Sequence, residues 1–271
     1  MVVLIEFIIA VSLFGVLVVA WFLGKRLGHM LKGNLSKHPQ LGVVQGSIFG
    51  LLGLLLGLCF AGALNRFVER QQIIVREANA VGTAYLRADL LPEAQRVRVK
   101  SMLREYTQQR IDLFSMRTGY DDRQIQDKLT TLHEGMWASA VQGTREDAEL
   151  GQLVLPPLNE VLDLLGERNA ADRRHIPVLV TIVLIASAMA SIAALGLGIE
   201  TGDKRLRAPA SILAFLIATT LWTTLDLDFP RSGLITIDAR PLREALDAMA
   251  PLLSTPGAPA APSAGTTGAT P

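Results

Sequence analysis

Charge is what this chain has least of. Lys, Arg, Asp and Glu make up 19% of its 271 residues, against about 25% in soluble domains. Most of the deficit falls in four runs that carry almost none. The formal net charge is +1, so the basic field that nucleic-acid binding needs is missing. There is one cysteine, Cys59, which excludes an intrachain disulfide and a cysteine-based zinc site. The histidines are scattered at positions 29, 38, 133 and 175. His133 and Glu134 are followed by Trp137 where a zinc-hydrolase helix needs a second histidine. The glycines at 196, 198 and 202 lack dinucleotide spacing, and no phosphate-binding glycine loop ends in Lys-Ser or Lys-Thr. These absences point away from an enzyme, a metal or cofactor, and a nucleic-acid partner.

What is there is apolar length. The low-charge runs cover residues 2–24, 41–65, 176–199 and 208–225, and about 20 residues cross a bilayer as a helix. Helices are the expected form, because lipid cannot satisfy a bare backbone. The first run, interrupted only by Glu6, is too long for a signal peptide and lacks a basic start. The expected fold is all-α: an integral membrane protein with four transmembrane helices and a helical extramembrane domain between the second and third.

The domain division follows. Residues 1–65 form a first transmembrane hairpin, 66–175 the helical domain, 176–253 a second hairpin with a short extension. Residues 254–271, rich in Ala, Pro, Gly, Ser and Thr, are expected to be disordered. Between Arg66 and Ala88 there is no proline, so the second span should run on as one long helix until Pro92. The apolar spacing of Ile125, Leu129, Leu132 and Met136 predicts a helix there, with Asp121 or Asp122 at its N-cap. Pro156 and Pro157 are expected to start or kink the helix that carries Leu158, Val161, Leu162 and Leu165.

The second span holds the sharpest pattern. Gly42, Gly46, Gly50, Gly53, Gly57 and Ala61 recur every three or four residues and share one helix face at about 100° per residue. Small stripes let helix backbones approach closely in a membrane. The partner is either the first or third span of the same chain, or a second copy. Phe49, Leu56 and Phe60 flank the stripe and are candidates for an apolar pore neck, or else face lipid and neighbouring helices. Arg66, Glu69 and Arg70 stand where the span ends, as candidate pore-mouth charges or interfacial anchors. In the third span Ala186, Ala190, Ala193 and Ala194 offer a second small face. The polar set Glu77, Asn79, Thr83, Tyr85, Arg87 and Asp89, with Asn159 and Glu160, reads most simply as a network joining two long helices. Asp226, Asp228 and Arg231 end the fourth span, beside the helix breakers Pro230 and Gly233. These acids are placed to pair with arginines of the other long helices.

The run from Ala78 to Glu93, with Arg66, Glu69 and Arg70 before it, resembles a signature of the bestrophin-like family of bacterial and plant membrane proteins. So do Leu158–Leu164, Arg173–Pro177 and Leu225–Gly233. The likeness extends over most of the chain, to about Leu246. It implies a bacterial plasma membrane and, by distant similarity to bestrophins, a homo-oligomer (there a pentamer) passing small anions along the second span. No acidic cluster matches the bestrophin calcium clasp. The resemblance also implies a cytosolic helical domain, whereas Lys and Arg in the first and third loops place the termini and that domain on the opposite side. Two functions therefore stand: an oligomeric anion channel, or a membrane scaffold or sensor whose helical domain binds a partner.

Overall fold

The computed structural model describes residues 2–30, 39–115, 122–198, 207–230 and 233–249. The expected tail at 254–271, Arg231 and the position of Asp121 lie outside the described residues. Among these residues, eight α-helices follow in order: α1 (Val2–Met30), α2 (Pro39–Arg87), α3 (Glu93–Ser115), α4 (Asp122–Gly143), α5 (Ala148–Asp172), α6 (Val178–Leu197), α7 (Arg207–Asp228) and α8 (Arg240–Ala248). A short 3-10 turn, Ala88–Leu90, separates α2 from α3. Among the described residues there is no strand.

Four helices, α1, α2, α6 and α7, are long and apolar enough to cross a membrane. The chain is an integral membrane protein with a helical segment between its second and third spans. The second span does run on: α2 has 49 residues, about 70 Å of helix at 1.5 Å per residue, more than twice the ~30 Å hydrocarbon thickness.

Two apolar clusters hold the molecule. In the spans, Leu17, Leu52, Leu184, Ala188, Ile192 and Leu221 pack α1, α2, α6 and α7 together. In the helical segment, Val81, Leu103, Tyr106, Leu129, Met136 and Val161 join the far half of α2 to α3, α4 and α5. The predicted α4 spacing is realised, with Leu129, Leu132 and Met136 buried and Ile125 packed against them.

The closest helix contact is α1 on α6. A Cβ on Gly24 would overlap the Ala193 carbonyl, and one on Gly196 would overlap the Trp21 carbonyl. Gly28 lies against Leu197 in the same seam, so the two helices run in the same direction. Of the small face expected on the third span, Ala193 and Ala194 meet neighbours, but Ala186 and Ala190 are exposed.

Of the start or kink expected at Pro156 and Pro157, the helix start lies earlier. Asp147 caps α5, its carboxylate accepting from Leu150 N at 2.9 Å, and both prolines lie inside the helix. A proline at 157 cannot donate to the Leu153 carbonyl four residues back. Arg87 supplies the missing donor, Nη1 reaching that oxygen at 2.8 Å.

Candidate functional site

Three features compete for functional meaning, and each is built by α2.

The first is the junction where α2 and α7 leave the spans. Asp228 is 1% exposed. Its Oδ1 accepts from Arg66 Nε at 2.9 Å and its Oδ2 from the Ile176 backbone N–H at 2.8 Å. One carboxylate thus ties α2 and α7 to the start of α6. Asp226 accepts from the N–H groups of Leu234 and Ile235, both at 2.8 Å, and closes the turn after α7. Gly233 must be glycine, since a Cβ would overlap the Asp226 carboxylate. Arg70 is 3% exposed and donates to three carbonyls: Ala171 at 3.2 Å, Asp228 at 3.3 Å and Arg174 at 2.7 Å. These are backbone oxygens at the ends of α5 and α7, where an intrahelical donor is missing. Glu69 pairs with Arg174 at 3.3 Å on the surface.

The expected pairing of the fourth-span acids with arginines is therefore present as Arg66–Asp228. Arg66 and Arg70, the candidate pore-mouth charges or interfacial anchors, both take part in this junction. Both side chains are bound inside their own chain, on the side of α2 opposite the glycine stripe.

The second feature is a buried polar cluster. Glu77 is fully enclosed. Its Oε1 accepts from Tyr106 Oη and Arg110 Nε, each at 2.6 Å, and its Oε2 from Arg110 Nη2 at 2.9 Å. Burial opposes the Arg110 charge most strongly, but Glu77, Tyr106 and Asp172 together outweigh it and hold the guanidinium pKa above its usual value. Burial, with Glu77 adding to it, pushes the Tyr106 phenol well up. Sequence reasoning placed Tyr106 in an apolar pattern and passed over Arg110. Ion pairs 33 residues apart leave no local signature.

His133 lies over the Tyr106 ring, centroids 5.0 Å apart. Burial lowers its pKa to about 4. The unfolded chain regains a pKa near 6.5, so between pH 6.5 and 4 it binds more protons than the fold does. Stability should fall as pH drops through that window. The effect is at most roughly 1.4 kcal/mol per pKa unit, and smaller because the ring is partly exposed. His133→Phe should flatten the decline of the thermal midpoint between pH 6.5 and 4.5; an unchanged slope would remove His133 as its source.

The rest of the expected polar set divides. Tyr85 Oη donates to the Met249 carbonyl at 2.8 Å, and Arg104 reaches the same oxygen, so both anchor the end of α8. Asp89 pairs with Lys100. Thr83 donates to Asn79 O within α2, and Asn159 to Asp163 within α5; Asn79, Thr83, Asn159 and Glu160 are exposed. The helix-joining network expected of the whole set is carried by Glu77, Tyr85, Arg87 and Asp89.

The third feature is the open face of α2. A Cβ on Gly42, Gly46, Gly50, Gly53 or Gly57 would meet nothing within 4 Å. Among the described residues the stripe therefore packs against neither the first nor the third span; Leu52, Gln45 and the half-buried Leu55 make that contact from the other side. Gln45 Nε2 donates to the Ala194 carbonyl at 2.6 Å. Of the candidate neck, Phe49 and Leu56 rest against the chain's own apolar cluster and Phe60 is half-buried. Beyond the glycines the same face carries Leu64, Val68, Val75 and Leu86, all exposed. The apolar face thus outlasts the span.

Within the spans, Glu6 is 8% exposed, its carboxylate accepting from Trp222 Nε1 at 3.0 Å. Among the described residues, no cluster of His, Cys, Asp and Glu could hold a metal ion.

Solved structures share this architecture. A bestrophin homologue from Klebsiella pneumoniae, phased on zinc, aligns with a TM-score of 0.62 at 15% identity, over 86% of this chain and 94% of that one. Two single-residue variants of that homologue align with TM-scores of 0.64 and 0.59 at 15% and 16% identity. They cover 88% and 86% of this chain and 96% of each of theirs. At such identities the likeness is one of fold. No curated protein matches the sequence. The model of the Bestrophin-like domain matches residues 10–242, which takes in all four spans and the helical segment between them, and the chain belongs to the Bestrophin-like family.

Proposed function

We propose that this protein is one subunit of a cyclic homo-oligomer that passes small anions along an axis lined by α2. The observation that carries the reading is the open face of that helix: glycine-rich, apolar, and unpaired within the chain.

The face is lopsided in a way that favours a ring. At about 100° per residue, Gly42, Gly46 and Gly53 lie on one flank and Leu51 and Leu58 on the other. Val43, Gly50, Leu54 and Ala61 lie between them. Leu51, Leu54 and Leu58 are more than half exposed. A small flank fits the bulky flank of the next copy better than it fits itself. Such head-to-tail contacts generate rings, whereas a two-fold dimer needs a self-complementary patch.

In this arrangement Val43, Gly50, Leu54 and Ala61 face the axis, and Leu54 replaces Phe49 and Leu56 as the narrowing side chain. The lining carries no charge. Selection between anions then rests on the cost of stripping water at an apolar constriction, not on a ring of arginines.

Chloride flux from liposomes reconstituted with the purified protein tests the proposal. Flux above that of empty liposomes is expected. Leu54→Ala should raise it several-fold and Ala61→Trp should abolish it. Absence of flux in the wild type and in Leu54→Ala would leave the scaffold or sensor function as the better reading.

A further inference from the structure

A cavity of about 440 Å³ opens where α3, α5 and α8 meet the segment that joins α7 to α8. It lies apart from the α2 face, and the inference drawn from it does not depend on conduction. Its lining combines apolar side chains, Leu113, Phe114 and Ile237, with three arginines, Arg168, Arg240 and Arg243.

Arg168 is the unusual member. It is 4% exposed; its Nη1 is enclosed beside Glu77 without a hydrogen-bond partner, so what Arg168 lends the cavity is its charge. The nearest carboxylates stand at ion-pair distance but beyond hydrogen-bond reach: Glu77 Oε2 at 3.9 Å and Asp172 Oδ2 at 3.7 Å. Glu77 is already committed to Tyr106 and Arg110. The Arg168 guanidinium also lies 4.3 Å from the centre of the Phe114 ring. A guanidinium keeps its charge when buried and suits a carboxylate partner.

Two acids also line the cavity. Asp238 accepts from the Arg240 backbone N–H at 2.8 Å and lies 3.4 Å from Arg240 Nη2, so it caps α8 and is spent locally. Asp172 stands beside Arg168. Arg243 has no ion-pair partner among the described residues, and the three arginines outnumber the two acids.

We propose that this cavity binds a compact organic carboxylate. Its oxygens lie between Arg168 and Arg243, and its apolar body rests against Leu113, Phe114 and Ile237. The volume is within the range of small-molecule sites, about 300–1,000 Å³. Pro230 also lines it, two residues beyond Asp228, whose carboxylate holds α2 to the start of α6. An occupant therefore touches the chain segment that fixes the span junction, which suits an effector better than a transported ion.

Calorimetric titration of the full-length protein in detergent at low salt tests this, with phenylacetate as the probe. Acetate tests the apolar lining and phenylethylammonium the arginines. Saturable binding of phenylacetate is expected, with acetate at least tenfold weaker and phenylethylammonium not bound. Arg168→Gln should remove binding. Because that residue is buried, the exposed pair Arg240→Gln and Arg243→Gln provides the independent variant, expected to weaken phenylacetate roughly tenfold by loss of charge. No binding of phenylacetate, equal binding of the cation, or wild-type affinity in the Arg240/Arg243 double variant would each overturn the proposal.

Discussion

Gly46→Leu and Gly53→Leu are expected to abolish ring formation while leaving the subunit folded. In a single copy a side chain at either position meets nothing within 4 Å, so the substitution adds no clash. In the ring the same side chain fills the space that Leu51 and Leu58 of the next copy require, and close backbone approach is lost. Detergent-purified variants should elute as monomers by light scattering, with unchanged thermal midpoints of the monomer. Two controls bracket the result. Gly15→Leu, equally open but on α1, should assemble normally. Gly24→Leu, which collides with the Ala193 backbone, should fail to fold. Normal rings from Gly46→Leu and Gly53→Leu would remove the stripe from the interface.

The second large effect is expected at Asp228. Asp228→Ala leaves Arg66 without its carboxylate and the Ile176 N–H without its acceptor. Breaking a buried pair by deleting one partner costs about 3–5 kcal/mol. Arg66 is 25% exposed, which places the ionic share toward the lower end of that range. The variant should accumulate poorly and lose the fixed junction of α2, α6 and α7. Arg66→Met strips the cation from the buried Asp228 carboxylate and should also destabilise, and the double variant should cost less than the sum of the two, since contacting residues couple. Strict additivity, measured by denaturation in detergent, would mean that the ion pair does not organise the junction.

The order of helices was open to reading because each rests on local chemistry. Four runs almost free of charge give four spans, and the absence of proline between Arg66 and Ala88 gives the long α2. Periodicity also groups Gly42 through Ala61 on one face. It cannot say what the face touches, because a stripe that packs within the chain and one that packs between copies have the same spacing. The same ambiguity leaves Arg66 and Arg70 open between pore-mouth charges and interfacial anchors, and their bonds to carbonyls of α5 and α7 and to the Asp228 carboxylate have no local signature. The glycines that do pack within the chain, Gly24 and Gly28, carried a legible four-residue spacing of small residues. The Glu77, Tyr106, Arg110 and Arg168 cluster was not legible, since its members come from three helices with no shared pattern. Helix α5 began eight residues before the proline pair because Arg87, from another helix, satisfies the carbonyl that Pro157 leaves open.

Imaging of the purified protein in lipid nanodiscs should show a closed cyclic ring with α2 innermost, Gly46 and Gly53 of each copy seated against Leu51 and Leu58 of the next. A monomer, or a ring in which the open face of α2 is turned to lipid, would contradict that arrangement.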